Sequence, residues 1–275
     1  MRRVFCVACA VASFLLIAPR ANAGTATGSI FVTGHDPDFH ASLGANTLGA
    51  QHLNQAAINF VMDPVFNPYV AGGATKFLFV ESNIVVPSGH TVGANGMVAS
   101  GYAAGTNFVK ADATTLNAEL NALGTTYGAI VVASDFGGIL TQAELDILNA
   151  RKNDIATFVN SGGGIYVLAE GNSGAGLTPN GGWFDFVPLV TASAVVNQNE
   201  NGFTVTPFGA SLGLANSDVN GNASHNIFTN IGGLSVVNFD ASGNIMSAAG
   251  RTAIPEPSSL AVFALAGSLT SRRRQ

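Results

Sequence analysis

Cysteine is nearly absent, with two residues in 275, Cys6 and Cys9. Both fall in an N-terminal segment that reads as a signal peptide: Arg2-Arg3, an apolar run from Val4 to Ile17, and an Ala21-Asn22-Ala23 cleavage site before Gly24. They lie too far from that site to serve as a lipoprotein acceptor. The exported chain therefore has no thiol, which excludes a disulfide framework, a thiolate metal site and a cysteine nucleophile. The paired Arg2-Arg3 leaves the folded-protein export route open beside the general one.

Basic residues are the next scarcity. Removing the leader and the C-terminal arginines takes away Arg2, Arg3, Arg20, Arg272, Arg273 and Arg274, leaving five basic residues against fifteen acidic ones and a body near −10. Such a surface disfavours nucleic acid and bare anionic lipid as partners and suits an extracellular protein that meets cations. Long apolar runs are missing too: Leu260 to Leu269 falls short of the roughly twenty residues of a spanning helix. No internal repeat is evident, and about 230 residues suffice for one large domain.

What the C-terminus does contain is ordered: Pro255-Glu256-Pro257, then the short apolar segment, then Arg272-Arg273-Arg274. Residues 251–275 in this arrangement resemble the PEP-CTERM sorting tail of Gram-negative exopolysaccharide-producing bacteria. The resemblance implies a membrane-anchored intermediate in the inner membrane, recognition by an exosortase, cleavage near Pro255 to Pro257, and delivery to the cell surface or extracellular matrix. An ordinary C-terminal transmembrane helix, with the arginines on the cytoplasmic side, is the alternative.

Between the ends, Ala129 to Gly171 is the most organised stretch. Two apolar runs, Ala129–Ala133 and Ile165–Ala169, flank a helix predicted at about twenty residues, the pattern of a right-handed βαβ crossover. Thr141 and Glu144 form a capping box with Leu140 and Leu145 as staple, and Ser161-Gly162-Gly163-Gly164 ends the helix. Upstream, the pattern predicts strands at Ser29–Thr33, Phe77–Glu81 and Asn107–Val109, with helices over Thr47–Met62, Thr91–Ser100 and from Asp112 through Leu123. Downstream come strand-like runs at Trp183–Val190, Ser193–Val196, Phe203–Thr206, Leu234–Phe239 and Asn244–Ala248, with a brief helix from Pro207. The expectation is a doubly wound, mostly parallel α/β sheet of flavodoxin-like type over residues 24–250, with a β-rich C-terminal part in the same domain. Ser247–Ala253 reads as a linker to the tail.

In such sheets ligands bind beyond the carboxyl ends of the strands. That rule singles out His35, Asp36, Asp38 and His40 after the first strand, Glu81 after the second, and Asp135 and Glu170 around the long helix. Two imidazoles and several carboxylates could ligate zinc or manganese, or calcium through oxygen, with Glu170 as general base of a metal-dependent hydrolase. Asp-Pro-Asp is equally ordinary turn chemistry, and Asp135 and Glu170 could simply bind backbone amides. A second candidate is nucleophilic: Gly171-Asn172-Ser173-Gly174-Ala175 approaches G-x-S-x-G, followed by Asp218 and His225 in hydrolase order. Ser173 lies four residues past Ala169, where a solvated loop fits better than an elbow.

The runs IVVASDFGG and GGGIYVLAEG, with VTGH early and DVNGNASHNIF late, also resemble class I glutamine amidotransferase-like domains, including the trehalose-utilisation type. That family carries a cysteine in the turn after the second strand and a histidine followed by glutamate. Here Glu170-Gly171 occupies the turn, and His225 is followed by Asn226 and Ile227. The resemblance thus implies the fold without the amidotransferase nucleophile, a surface or matrix module binding a glycan such as exopolysaccharide, or a cation.

Overall fold

The computed structural model describes residues 27–82, 93–135, 139–171, 177–178, 182–187, 189–194 and 201–253. Ten strands of this part form one sheet, ordered β3-β2-β4-β5-β1-β10-β8-β6, with β9 on β10 and β7 on β9. The strands are β1 Ser29–Thr33, β2 Lys76–Val80, β3 Phe108–Ala111, β4 Tyr127–Val132, β5 Gly164–Val167, β6 Thr191–Ala194, β7 Thr204–Val205, β8 Asn226–Asn230, β9 Ser235–Phe239 and β10 Ile245–Arg251. Strands β1 to β5 run parallel to one another, while β10 pairs antiparallel with β1 and β8, β6, β9 and β7 continue antiparallel.

The parallel strands read as unbroken apolar runs because both of their faces are covered. Ile30, Val32, Leu78, Val80, Ile130 and Ile165 pack with one set of helical residues, among them Leu116, Leu145, Leu148 and Ile155. Phe31, Phe77, Phe79, Val131 and Tyr166 face the other way, towards Leu53, Ala57, Phe60 and Met97. The mixed α/β architecture is therefore three layers deep, with α2 (Thr47–Val61) and α4 (Gly93–Ala99) on one face and α5 (Leu116–Glu119), α6 (Gln142–Ala150) and α7 (Lys152–Asn160) on the other. The short helices α1 (Pro37–His40), α3 (Pro68–Ala71), α8 (Pro207–Ser211) and α9 (Asn216–Val219) sit in the connections. No helix of the described residues is long and apolar enough to cross a membrane.

Several expectations need correction. The single long helix is two, α6 and α7, because Arg151 leaves helical geometry (φ −99°, ψ 13°). Its guanidinium instead reaches Asn117, Asn121 and Asp154. The start of α6 is as expected: Glu144 accepts the Thr141 N–H at 3.0 Å and its hydroxyl, and also the Ala113 N–H at 2.9 Å. Trp183–Val190 is not a strand; Phe184 takes a left-handed φ of 62°, which breaks any extended run, and only Trp183 bridges to Ala192. Ser247–Arg251 is no linker, since β10 is an interior strand whose Ser247 Oγ lies 2.7 Å from Thr33 Oγ1 of β1. The boundary at 250 accordingly cuts through a strand. Strand β8 was not anticipated.

Candidate functional site

The carboxyl ends of β1, β2, β4 and β5 do share one edge, and the ionisable residues named from the sequence stand there. They are interior groups. Asp36, Asp38, Glu81, Asp135 and Glu170 are fully buried and His35 nearly so.

Each is held by local bonding. His35 leaves β1 with its N–H on Thr33 Oγ1 (3.1 Å) and its ring edge-on to Phe203. Asn238 Nδ2 donates to His35 Nε2 (3.1 Å), so Nδ1 carries the proton and faces Ala223 O at 3.3 Å. Burial pulls His35 down to about 4 from 6.5, consistent with this neutral tautomer.

Asp36 stands between two imidazoles, His225 Nε2 at 3.2 Å from Oδ2 and His40 Nε2 at 3.3 Å from Oδ1. Burial alone would raise this carboxyl, yet His225 and then His40 hold it well below the carboxylate range. Asp38 accepts the N–H groups of Ser134 (2.8 Å) and Phe39 (3.0 Å), tying β1 to the end of β4, while burial pushes its carboxyl up to about 7. Glu81 accepts the Ala94 N–H at 3.0 Å and pairs with Lys110 at 3.2 Å; burial raises it and those two contacts oppose the rise. The Asp135 N–H donates to Ala169 O at 2.9 Å.

The turn after β5 is closed from the antiparallel side. Asn226, fully buried at the start of β8, accepts the N–H groups of both Glu170 and Gly171 on its Oδ1, each at 2.8 Å. Glu170 Oε2 accepts the N–H of Phe184 at 2.7 Å, and Oε1 has no hydrogen-bond partner among the described residues. Burial pushes Glu170 up to about 8, so the group is largely protonated at neutral pH. Gly34 is required here, because a Cβ would lie 2.1 Å from Asn226 O.

The structure joins Asp36 to His40 and His225, and no contact joins Asp218 to His225 among the described residues. Asp218 accepts the Ala215 N–H (2.8 Å) and contacts His52 (3.1 Å), so His225 is oriented by Asp36 instead. Ser173 and the tail residues Pro255, Glu256, Pro257, Arg272, Arg273 and Arg274 lie outside the described residues. Among the described residues no group of three or more His, Cys, Asp or Glu side chains is placed to hold a metal ion, so His35, Asp36, Asp38, His40 and Asp135 do not converge as ligands. The Asp36 oxygens face imidazoles and the Asp38 oxygens face backbone N–H groups instead.

An open groove of about 340 Å³ lies at this same edge, lined by Ser82, Asp112, Thr114, Thr141, Ala143 and Glu144 among others. It runs between the ends of β2 and β3 and the first turn of α6. Sequence reasoning missed this groove and the two asparagines, Asn226 and Asn238, that complete the buried network. Nothing in their local sequence marks them, since their partners lie 55 or more residues away. No family model matches this chain, and neither a curated protein nor a solved structure shows significant similarity to it.

Proposed function

We propose that the chain is an exported surface or extracellular-matrix protein, delivered by an exosortase through residues 251–275, whose α/β body is a non-catalytic, amidotransferase-like binding module. The sequence of both ends supports the sorting half, including a transient stay in the inner membrane. The non-catalytic half rests on one observation: the turn after β5 presents a buried Glu170 whose neighbouring amides are consumed by Asn226. An exposed nucleophile with free amides for a developing oxyanion is what acyl transfer at such a turn would need.

The ligand is placed in the groove beside α6. The hydroxyls of Ser82 and Thr114 and the half-buried carboxylate of Asp112 suit a glycan or a hydrated cation, while the buried Glu144 carboxylate is engaged by Ala113 and Thr141, and exopolysaccharide is the natural candidate in a matrix. Ala143 is exposed on the groove wall. Ala143→Arg is therefore expected to fill the groove, leave the melting temperature unchanged, and weaken retention of the mature protein on immobilised exopolysaccharide at least about tenfold, the equivalent of 1.4 kcal/mol. Equal retention of wild type and variant would remove the groove from the proposal.

A further inference from the structure

The two ends of the body leave the sheet side by side. Ser29, the first residue of β1, pairs with Arg251, the last of β10, and also with Gly164, the first of β5. Both termini therefore emerge at the amino edge of the parallel strands, opposite the edge that carries Asp36, Asp38, Glu81, Asp135 and Glu170. The exit is fixed as well. Strand β10 is interior, and the Arg251 guanidinium lies over the rings of Phe66 (3.7 Å) and Phe60 (4.2 Å) while Nη2 meets Asp63 at 3.3 Å.

Beside this clamp the chain shows apolar surface. Val65 is 78 % exposed and Phe66 48 % exposed, adjacent in a turn closed by Asp63 and tied to the start of β4 through Asn67 Nδ2 on Gly128 O (2.7 Å). Lys76, at the start of β2, marks the same edge.

We propose that this amino edge, led by Val65 and Phe66, rests on the lipid surface while the C-terminal segment is in a bilayer. The proposal rests on the reading of that segment as a membrane anchor. Seven residue steps separate Ala253 from Leu260, a reach of at most about 25 Å. A body of this size is roughly 45 Å across. The tether is too short to let the carboxyl edge turn to the bilayer, and it holds the Val65–Phe66 turn within reach of the headgroups. Adjacent apolar side chains next to the anchoring point are what an interfacial contact uses. The groove and the buried acidic network then face away from the membrane.

The test uses the mature chain from Gly24 to Gln275, which has no cysteine, as two single-label variants: Val65→Cys at the amino edge and Leu48→Cys, 67 % exposed near the opposite edge. Each carries an environment-sensitive fluorophore and is bound to phosphatidylcholine vesicles containing a nitroxide quencher at headgroup level. The expected result is co-sedimentation of both proteins with the vesicles and a severalfold greater loss of fluorescence at position 65 than at 48. Co-sedimentation with equal or reversed quenching overturns the docking alone. Failure to co-sediment overturns the anchor reading, and the docking falls with it.

Discussion

Asn226→Ala is expected to destabilise the folded protein by about 1–3 kcal/mol, because it strips the acceptor from the buried Glu170 N–H, and by a smaller further amount through the half-buried Gly171 N–H. The Glu170 amide has no water to turn to, since Asn226 and Glu170 are fully buried, whereas Gly171 is half-buried. Beyond its energy, the bond joins the antiparallel half of the sheet, through β8, to the turn after β5 in the parallel half. Its loss should therefore loosen the junction between them, alongside the Asp36–His225 contact. Asn226→Asp keeps an acceptor oxygen in place and should retain more stability than the alanine variant. Urea unfolding of the three proteins checks this, and an alanine variant within about 0.5 kcal/mol of wild type would mean the bond carries nothing.

The second large effect is on pH. Burial raises Glu170 from 4.5 to about 8, so the folded protein keeps a proton that the unfolded chain releases. Its folded form is then unpenalised below about pH 4.5, and stability is lost progressively as pH rises, until the loss levels off above about 8. The full span is worth on the order of 5 kcal/mol. Asp38, raised from 3.8 to about 7, acts in the same direction. His35 acts oppositely: held neutral by burial, with its value lowered from 6.5 to about 4, it costs stability only as pH falls below 6.5. Between pH 6.5 and 8 the two carboxyls work without that offset. Glu170→Gln removes the larger of the two ionisations while preserving an acceptor for the Phe184 N–H. Melting temperatures of wild type and variant should coincide near pH 4.5 and diverge in favour of the variant by pH 8.5; parallel curves across that range would contradict the burial of Glu170.

The parallel half was readable because covered strands announce themselves: SIFVT, KFLFV and YGAIVV are apolar without alternation. The carboxyl-edge rule then located His35, Asp36, Asp38, Glu81, Asp135 and Glu170 without any coordinates. What it could not say is where their polar atoms point. Asp36 looked like a ligand in a row of ligands, but its partner His225 lies 189 positions on, and that pairing converts an open acidic loop into an internal carboxylate–imidazole contact. Strand β10 was only half legible for a related reason: its start lies in the predicted run Asn244–Ala248, but its end read as linker. IMSAAGR has weak strand propensity of its own, and it becomes a strand because β1 offers a register for small residues to pack against. Arg151 was hidden inside a helical period that it interrupts through its own side-chain contacts.

The reading as a non-catalytic module stands or falls on turnover. The mature protein should be assayed against ester, amide and glycoside substrates, with and without added zinc, manganese or calcium, beside Glu170→Gln and His35→Ala. The expected result is no turnover above background in any of the three proteins. Turnover by the wild type that disappears in Glu170→Gln or His35→Ala would contradict it, and would make the buried carboxyl edge an active site.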